Sequence, residues 1–210
     1  MAEVYKRNPC GTLSVPYWKS KWIAVPENMH IVHDREYCAA QYAGYVDEPY
    51  FRLFHDLKDM QTPRTEEIRM VTAKQEDLTL LADVINRSYD DLSVTCEQLE
   101  SYTQTEVYHH ALWVMAVSRR DGCVMGCGIA DLDREMREGI LEWIQVLPKY
   151  RRRGVGRAIV NELLIRMKQE ADFATVSGKV CNATKPERLY RACGFTGEDV
   201  WHILVKKDLG

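Results

Sequence analysis

From Ile68 onward the apolar and polar positions of the chain fall into regular runs. "IRMVTA" reads as a strand, and "EDLTLLADVINRSY" puts Leu78, Leu81, Ala82 and Ile85 on one helical face. "TCEQLESYTQ" predicts a second, shorter helix, with Thr95 and Gln98 at capping-box spacing. "LWVMAVSRRDGCVMGCGIADLD" reads as two strands joined by an Arg-Arg-Asp-Gly turn, and "GILEWIQVL" as a further strand. "GRAIVNELLIRMKQEA" is a helix with Ala158, Ile159, Leu163 and Met167 facing inward. "FATVSGKV" is a strand, "KPERLYRACGF" a helix ending near Gly194, and "VWHILVKK" a last strand. The order β-α-α-β-β-β-α-β-α-β predicts an α/β fold, a mixed sheet with helices on both faces.

The first third lacks this rhythm. Up to about Thr65 the chain mixes aromatics, prolines and short strand-like pieces; "EPYFRLFHDLKDM" predicts a short amphipathic helix and "QTPRTEE" a linker. Residues 1–65 therefore read as an N-terminal extension and residues 66–210 as the main domain. The extension carries Tyr17, Trp18, Trp22, Tyr42, Tyr45, Tyr50, Phe51 and Phe54 with little periodic order. So small a segment builds only a small core, so its rings are expected to cover the domain as a lid or to meet a second subunit in a homodimer.

Composition narrows the classes. The chain has 210 residues, 46% hydrophobic and 28% charged, with a formal net charge of -3. That suits a globular protein with one full domain and an appendage, or two small domains. It also makes the arginine cluster at 151–153 a local feature; a nucleic-acid-coating protein is usually basic overall, so no nucleic-acid partner is expected. Seven cysteines without framework spacing suit a reducing compartment. No uninterrupted apolar run approaches membrane-spanning length and the first residues are charged, so the expectation is a cytoplasmic protein with no membrane partner.

In "LEWIQVLPKYRRRGVGRAIV" a strand stops at Pro148, and three arginines lead through Gly154-Val155-Gly156 into a helix. A helix N-terminus presents unpaired N–H groups and the positive end of its dipole, so it is a natural phosphate site. Arginines add charge-assisted bonds to an anion. Three cations beside that dipole end are unfavourable without an anion; the bland alternative is a solvated charge run. The dinucleotide pattern fails because position 159 is Ile159, and the Walker pattern lacks its Gly-Lys-Ser/Thr ending.

What matches is R-x-x-G-x-G, Arg151 to Gly156, the signature of the GCN5-related N-acetyltransferases (GNAT). "VLPKYRRRGVG" resembles that superfamily's V-x-P-x-Y-R-x-x-G-x-G turn, and "LYRACGF" its L-Y-x-x-x-G-F motif about forty residues on. The resemblance covers roughly Ile68 to Val205. It implies that Arg151, Arg152, Arg153, Gly154, Val155 and Gly156 hold the pyrophosphate of acetyl-CoA, with backbone groups near Val146 bonding the pantetheine arm. Asn182 corresponds to an asparagine that bonds the same arm, here one residue further from Tyr190 and with Pro186 in place of an alanine.

Acyl transfer to an amine needs a neutral amine, a place for oxyanion charge and a proton for the departing thiolate. An alkylammonium near pKa 10.4 is neutral only about once in 2,500 molecules at pH 7. Glu142, four residues before Val146, lies where family members carry a base or water-binding group, and period-two alternation puts both on one face unless a bulge intervenes. Its alternative role is pairing with a neighbouring cation. Tyr190 occupies the position of the family's thiolate acid; its alternative role is a core aromatic.

No metal is expected, because Cys123 with Cys127, His109 with His110, and His30 with His33 lack ligand spacing. The acceptor would be a small-molecule or peptide amine. Tyr89-Asp90-Asp91 stands where the acceptor wall lies in the family, and Asp131, Asp133, Glu135 and Glu138 offer further acidic groups or merely a solvated turn. The resulting expectation is an acetyl-CoA-dependent N-acetyltransferase acting on a primary amine by direct attack. The alternative is a catalytically silent acyl-CoA-binding module whose extension docks a partner.

Overall fold

The structure is a computed structural model and describes residues 1–58, 60, 66–88 and 93–207. Three short helices, α1 (Ala2–Arg7), α2 (Pro9–Thr12) and α3 (Tyr17–Ser20), precede strands β1 (Met29–His33), β2 (Tyr45–His55) and β3 (Ile68–Thr72). Next come α4 (Leu78–Asn86), α5 (Cys96–Tyr102), β4 (Trp113–Ser118), β5 (Val124–Asp133) and β6 (Glu138–Val146). The chain ends in α6 (Val155–Met167), β7 (Phe173–Lys179), α7 (Pro186–Ala192) and β8 (Thr196–Lys206). The fold is mixed α/β with a single open sheet of eight strands, ordered β1-β8-β2-β7-β6-β5-β4-β3. The chain divides into two compact units, one of residues 1–55, 175–191 and 195–210, the other of residues 56–174 and 192–194.

In the second unit β3, β4, β5 and β6 form an antiparallel meander. Its strand alternation separates two faces. Trp113, Met115, Cys127 and Ile129 join Leu81, Val84, Ile85 and Leu99 of α4 and α5 in one core cluster. Gly128, between Cys127 and Ile129, faces the other way: a Cβ there would strike Ile159 of α6 and lie 3.0 Å from Leu163. The Thr95–Gln98 capping box is closed, with Gln98 N–H on Thr95 Oγ1 at 3.2 Å and Thr95 N–H on Gln98 Oε1 at 2.9 Å.

In the other unit β8 is antiparallel to β1 on one side and to β2 on the other. The helix predicted over "EPYFRLFHDLKDM" is instead mostly β2. Its Phe51, Arg52, Leu53 and His55 are all buried, so both faces of β2 are covered, while β8 and β7 flank its two edges. Burial on both faces erases the alternation that marks a strand, and the spacing of Tyr50, Phe51, Leu53, Phe54 and Leu57 then imitates a helical stripe. Arg52 is 1% exposed and donates to Tyr5 Oη at 2.7 Å, Ser177 Oγ at 3.2 Å and Thr175 Oγ1 at 3.4 Å. Trp201 Nε1 donates to Cys10 O at 2.8 Å. Such bonds tie the N-terminal helices to the strands beneath them.

Candidate active site

The turn after β6 leaves the start of α6 open. Leu147 and Pro148 end the strand, and a single 3₁₀ turn over Pro148–Tyr150 delivers the chain to α6. Arg152 (φ 63°) and Gly154 (φ 79°) both take the left-handed conformation. Glycine accepts it freely, whereas arginine pays for it in strain. The space where a Gly154 Cβ would stand is empty to 4 Å. Gly154 is the N-cap of α6, and no side chain caps the helix and no acidic residue stands in its first turn. Unpaired N–H groups and the positive dipole end therefore meet solvent there.

The three arginines do different work. Arg152 and Arg153 are exposed, and neither has an ion-pair partner among the described residues. Arg153 Cζ lies 5.8 Å and Lys149 Nζ 4.8 Å from the Tyr150 ring centre, so one aromatic ring carries two cations beside the turn. Arg151 behaves differently: its Nε donates to Val146 O at 3.2 Å and its Nη2 to Ser88 O at 2.9 Å. Two of its five donors are thus committed to carbonyls. Ser88 was not marked by the sequence, since it contributes only a main-chain oxygen.

β6 lies inside the sheet, yet Glu142, Trp143, Ile144 and Val146 are half-exposed. The register with β5 passes from Ile129↔Trp143 to Ala130↔Leu141, so Glu142 is the extra residue of a bulge. Alternation therefore does not carry the face of Val146 through to Glu142; the bulge sets the direction of the carboxylate. Val146, Arg151–Gly156 and Glu142 all belong to the second unit.

Tyr190 and Asn182 belong to the first unit. Tyr190, 7% exposed, packs its ring 6.2 Å from Phe51 and 5.9 Å from Phe195. Asn182 Oδ1 accepts from Thr184 N–H at 2.9 Å and Thr184 Oγ1 at 2.7 Å, which leaves its Nδ2 as the group able to serve a ligand. A cavity of about 300 Å³ lies beside it, lined by Phe51, Lys179, Asn182, Lys185 and Arg188 among others.

The acidic acceptor candidates divide. Tyr89, Asp90 and Asp91 lie outside the described residues. Asp133 is 4% exposed and its Oδ1 accepts from the N–H groups of Glu135 and Met136, closing the β5–β6 turn. Glu138 is fully buried opposite it. Both carboxylates are thus buried in the protein. Burial also pushes the Cys127 thiol up to about 12 and the Cys193 thiol to about 11, so neither is a ready nucleophile. Among the described residues no group of three or more His, Cys, Asp and Glu could hold a metal ion, and no helix is long and apolar enough to cross a membrane.

Residues 108–197 match the family model for an acetyltransferase (GNAT) domain. Across this segment the chain is similar to a GNAT domain. The match takes in β4 to α7, including the whole arginine-glycine turn. The fold is also that of a GCN5-related N-acetyltransferase from Sphaerobacter thermophilus, with TM-score 0.69 and 20% identity over 89% of this chain and 64% of that one. A GCN5-related N-acetyltransferase from Kribbella flavida aligns at TM-score 0.56 and 14% identity, covering 85% of this chain and 67% of that one. The ribosomal-protein-S18-alanine N-acetyltransferase of Escherichia coli aligns at TM-score 0.50 and 18% identity, covering 68% and 96%. The chain thus spans less than two thirds of the Sphaerobacter protein. No curated protein matches the sequence. The match supports acyl transfer in general.

Proposed function

We propose that the chain is an acetyl-CoA-dependent N-acetyltransferase that moves the acetyl group directly to a primary amine. The observation that carries this reading is the uncapped start of α6, with left-handed Gly154 and two unpaired arginines around it. Such a site fits a pyrophosphate, which the N–H groups of residues 152–156 and the Arg152 and Arg153 side chains would hold. Acetyl-CoA, the donor that GNAT enzymes use, supplies a thioester whose C–S bond breaks as the new C–N bond forms.

The chain's own groups then manage the protons. Glu142, at the bulge, would take a proton from the attacking ammonium directly or through water. Tyr190 would return one to the departing thiolate. Val146 would orient the donor arm through its backbone, and the Asn182 Nδ2 group would donate to it. Amine and thioester give amide and free thiol, with no covalent enzyme intermediate.

The test has two readouts. Acetyl-CoA and CoA should raise the melting temperature, since a ligand that binds only the folded chain stabilises it. Gly156→Glu should abolish that shift by setting a carboxylate against the phosphates. A panel of amines with thiol detection should then reveal an acceptor. An undiminished shift in Gly156→Glu would put the donor elsewhere, and a shift without thiol release from any amine would favour a silent acyl-CoA-binding module.

A further inference from the structure

Arg151 joins two chain ends that lie far apart in sequence. Ser88 lies just past the end of α4, directly after its C-cap Arg87, near the negative end of the helix dipole, so a guanidinium is favoured there. Val146 O is at the end of β6, just before Pro148 breaks the pairing. One guanidinium serves both, at 2.9 and 3.2 Å, across a separation of 63 residues in the longer case. A planar fork can hold two carbonyls in a fixed relation, which the single ammonium of a lysine does poorly. The α4 side of the join is itself braced. Asn86 clamps both main-chain groups of Val94, at 2.9 and 2.8 Å, and Ser88 Oγ donates to Val84 O at 2.7 Å.

The geometry points to Arg151 as a positioning residue: its guanidinium locks the segment just past α4 to the end of β6 and so transmits filling of the phosphate cradle to the C-terminal end of α4. This rests on the reading of the turn as a donor-phosphate site. Arg151 opens the turn that Arg152 to Gly156 complete, so a ligand ordering those residues also orders the clamp. Coupling is reciprocal, and whatever fixes the C-terminal end of α4 also favours the filled cradle.

Hydrogen–deuterium exchange on the full chain, with and without saturating CoA, tests this. In the wild type, CoA should slow exchange in peptides covering 146–158 and also in those covering 84–95. In Arg151→Ala and Arg151→Lys, CoA should still protect 146–158, while the response at 84–95 disappears. Without ligand, exchange at 84–95 in both variants should rise about tenfold, the size of a lost charge-assisted bond. Arg153→Ala, as a control, should weaken CoA binding and leave ligand-free exchange at 84–95 alone. Wild-type behaviour of Arg151→Lys, or a surviving response at 84–95 in Arg151→Ala, would overturn the clamp. Should Arg151→Ala fail to fold, Arg151→Lys decides. If the wild type binds no CoA, the donor reading falls, and ligand-free exchange at 84–95 in the two variants still decides whether Arg151 holds the two ends together.

Discussion

Glu142 and Tyr190 separate an enzyme from a silent binder. Glu142→Gln should lower kcat/KM most near neutral pH, with the deficit shrinking as pH approaches the pKa of the amine, because solvent then removes the proton. Tyr190→Phe should leave CoA affinity nearly unchanged while kcat falls by roughly 10²–10⁴, the loss typical of a missing general acid. Wild-type rates in both variants, measured across pH with a true acceptor, would make the two residues structural. Cys127 and Cys193 give a prediction of the opposite kind, about stability. Burial raises both thiols from an ordinary value of 9.0, to about 12 and about 11, so the folded chain holds these protons longer than the unfolded chain does. Their contribution is complete below pH 9 and is lost as pH climbs through the folded values, so denaturation midpoints should fall across that alkaline window. Replacing both by alanine or serine should flatten the slope; an unchanged slope would mean that the thiols are not what titrates.

Helix starts in this fold follow two designs. α5 is closed by reciprocal side-chain bonds between Thr95 and Gln98, and Thr95→Ala should cost about 1 kcal/mol. α6 is left open, with a left-handed glycine in place of a cap. Gly154→Ala meets no atom, yet it forces an L-residue into φ 79°, at a cost of about 1–2 kcal/mol. That is a drop of roughly 2–4 °C per kcal/mol in a chain of this size. Calorimetry with and without CoA distinguishes the two variants: Thr95→Ala should lower both melting temperatures equally, whereas Gly154→Ala should also shrink the ligand-induced shift.

β8 depends on the first third of the chain for both its neighbours. A fragment of residues 66–210 would therefore present β8 with two open edges and lose the Arg52–Tyr5 bond, and it should be far less soluble than the whole chain. A 66–210 fragment that is monodisperse and melts cooperatively would mean that β8 finds other partners. Arg52→Met probes the same dependence more gently. It keeps the apolar volume but abandons the Tyr5, Ser177 and Thr175 oxygens, so it should destabilise the chain by leaving them without their donor.

Wherever the determining contacts are local, the sequence alone was enough. The hydrophobic stripe of α6, the Thr95–Gln98 box and the arginine-glycine turn are each set within a few residues, because helical periodicity, capping and turn chemistry act over one or two turns. Tertiary structure decided what depends on distant partners. β2 is a strand because β7 and β8 pair with its two edges, and its own pattern imitates a helix. Glu142 sits at a bulge that only the register against β5 creates. Asp133 and Glu138 are buried by the closing of a hairpin, whereas their sequence reads as a solvated acidic loop. Arg151 stands in a motif legible from its spacing, but its reach to Ser88 exists only after α4 and β6 have packed. A sequence pattern records which groups are present and how often they recur; which carbonyl a guanidinium finds is settled by the path of the backbone.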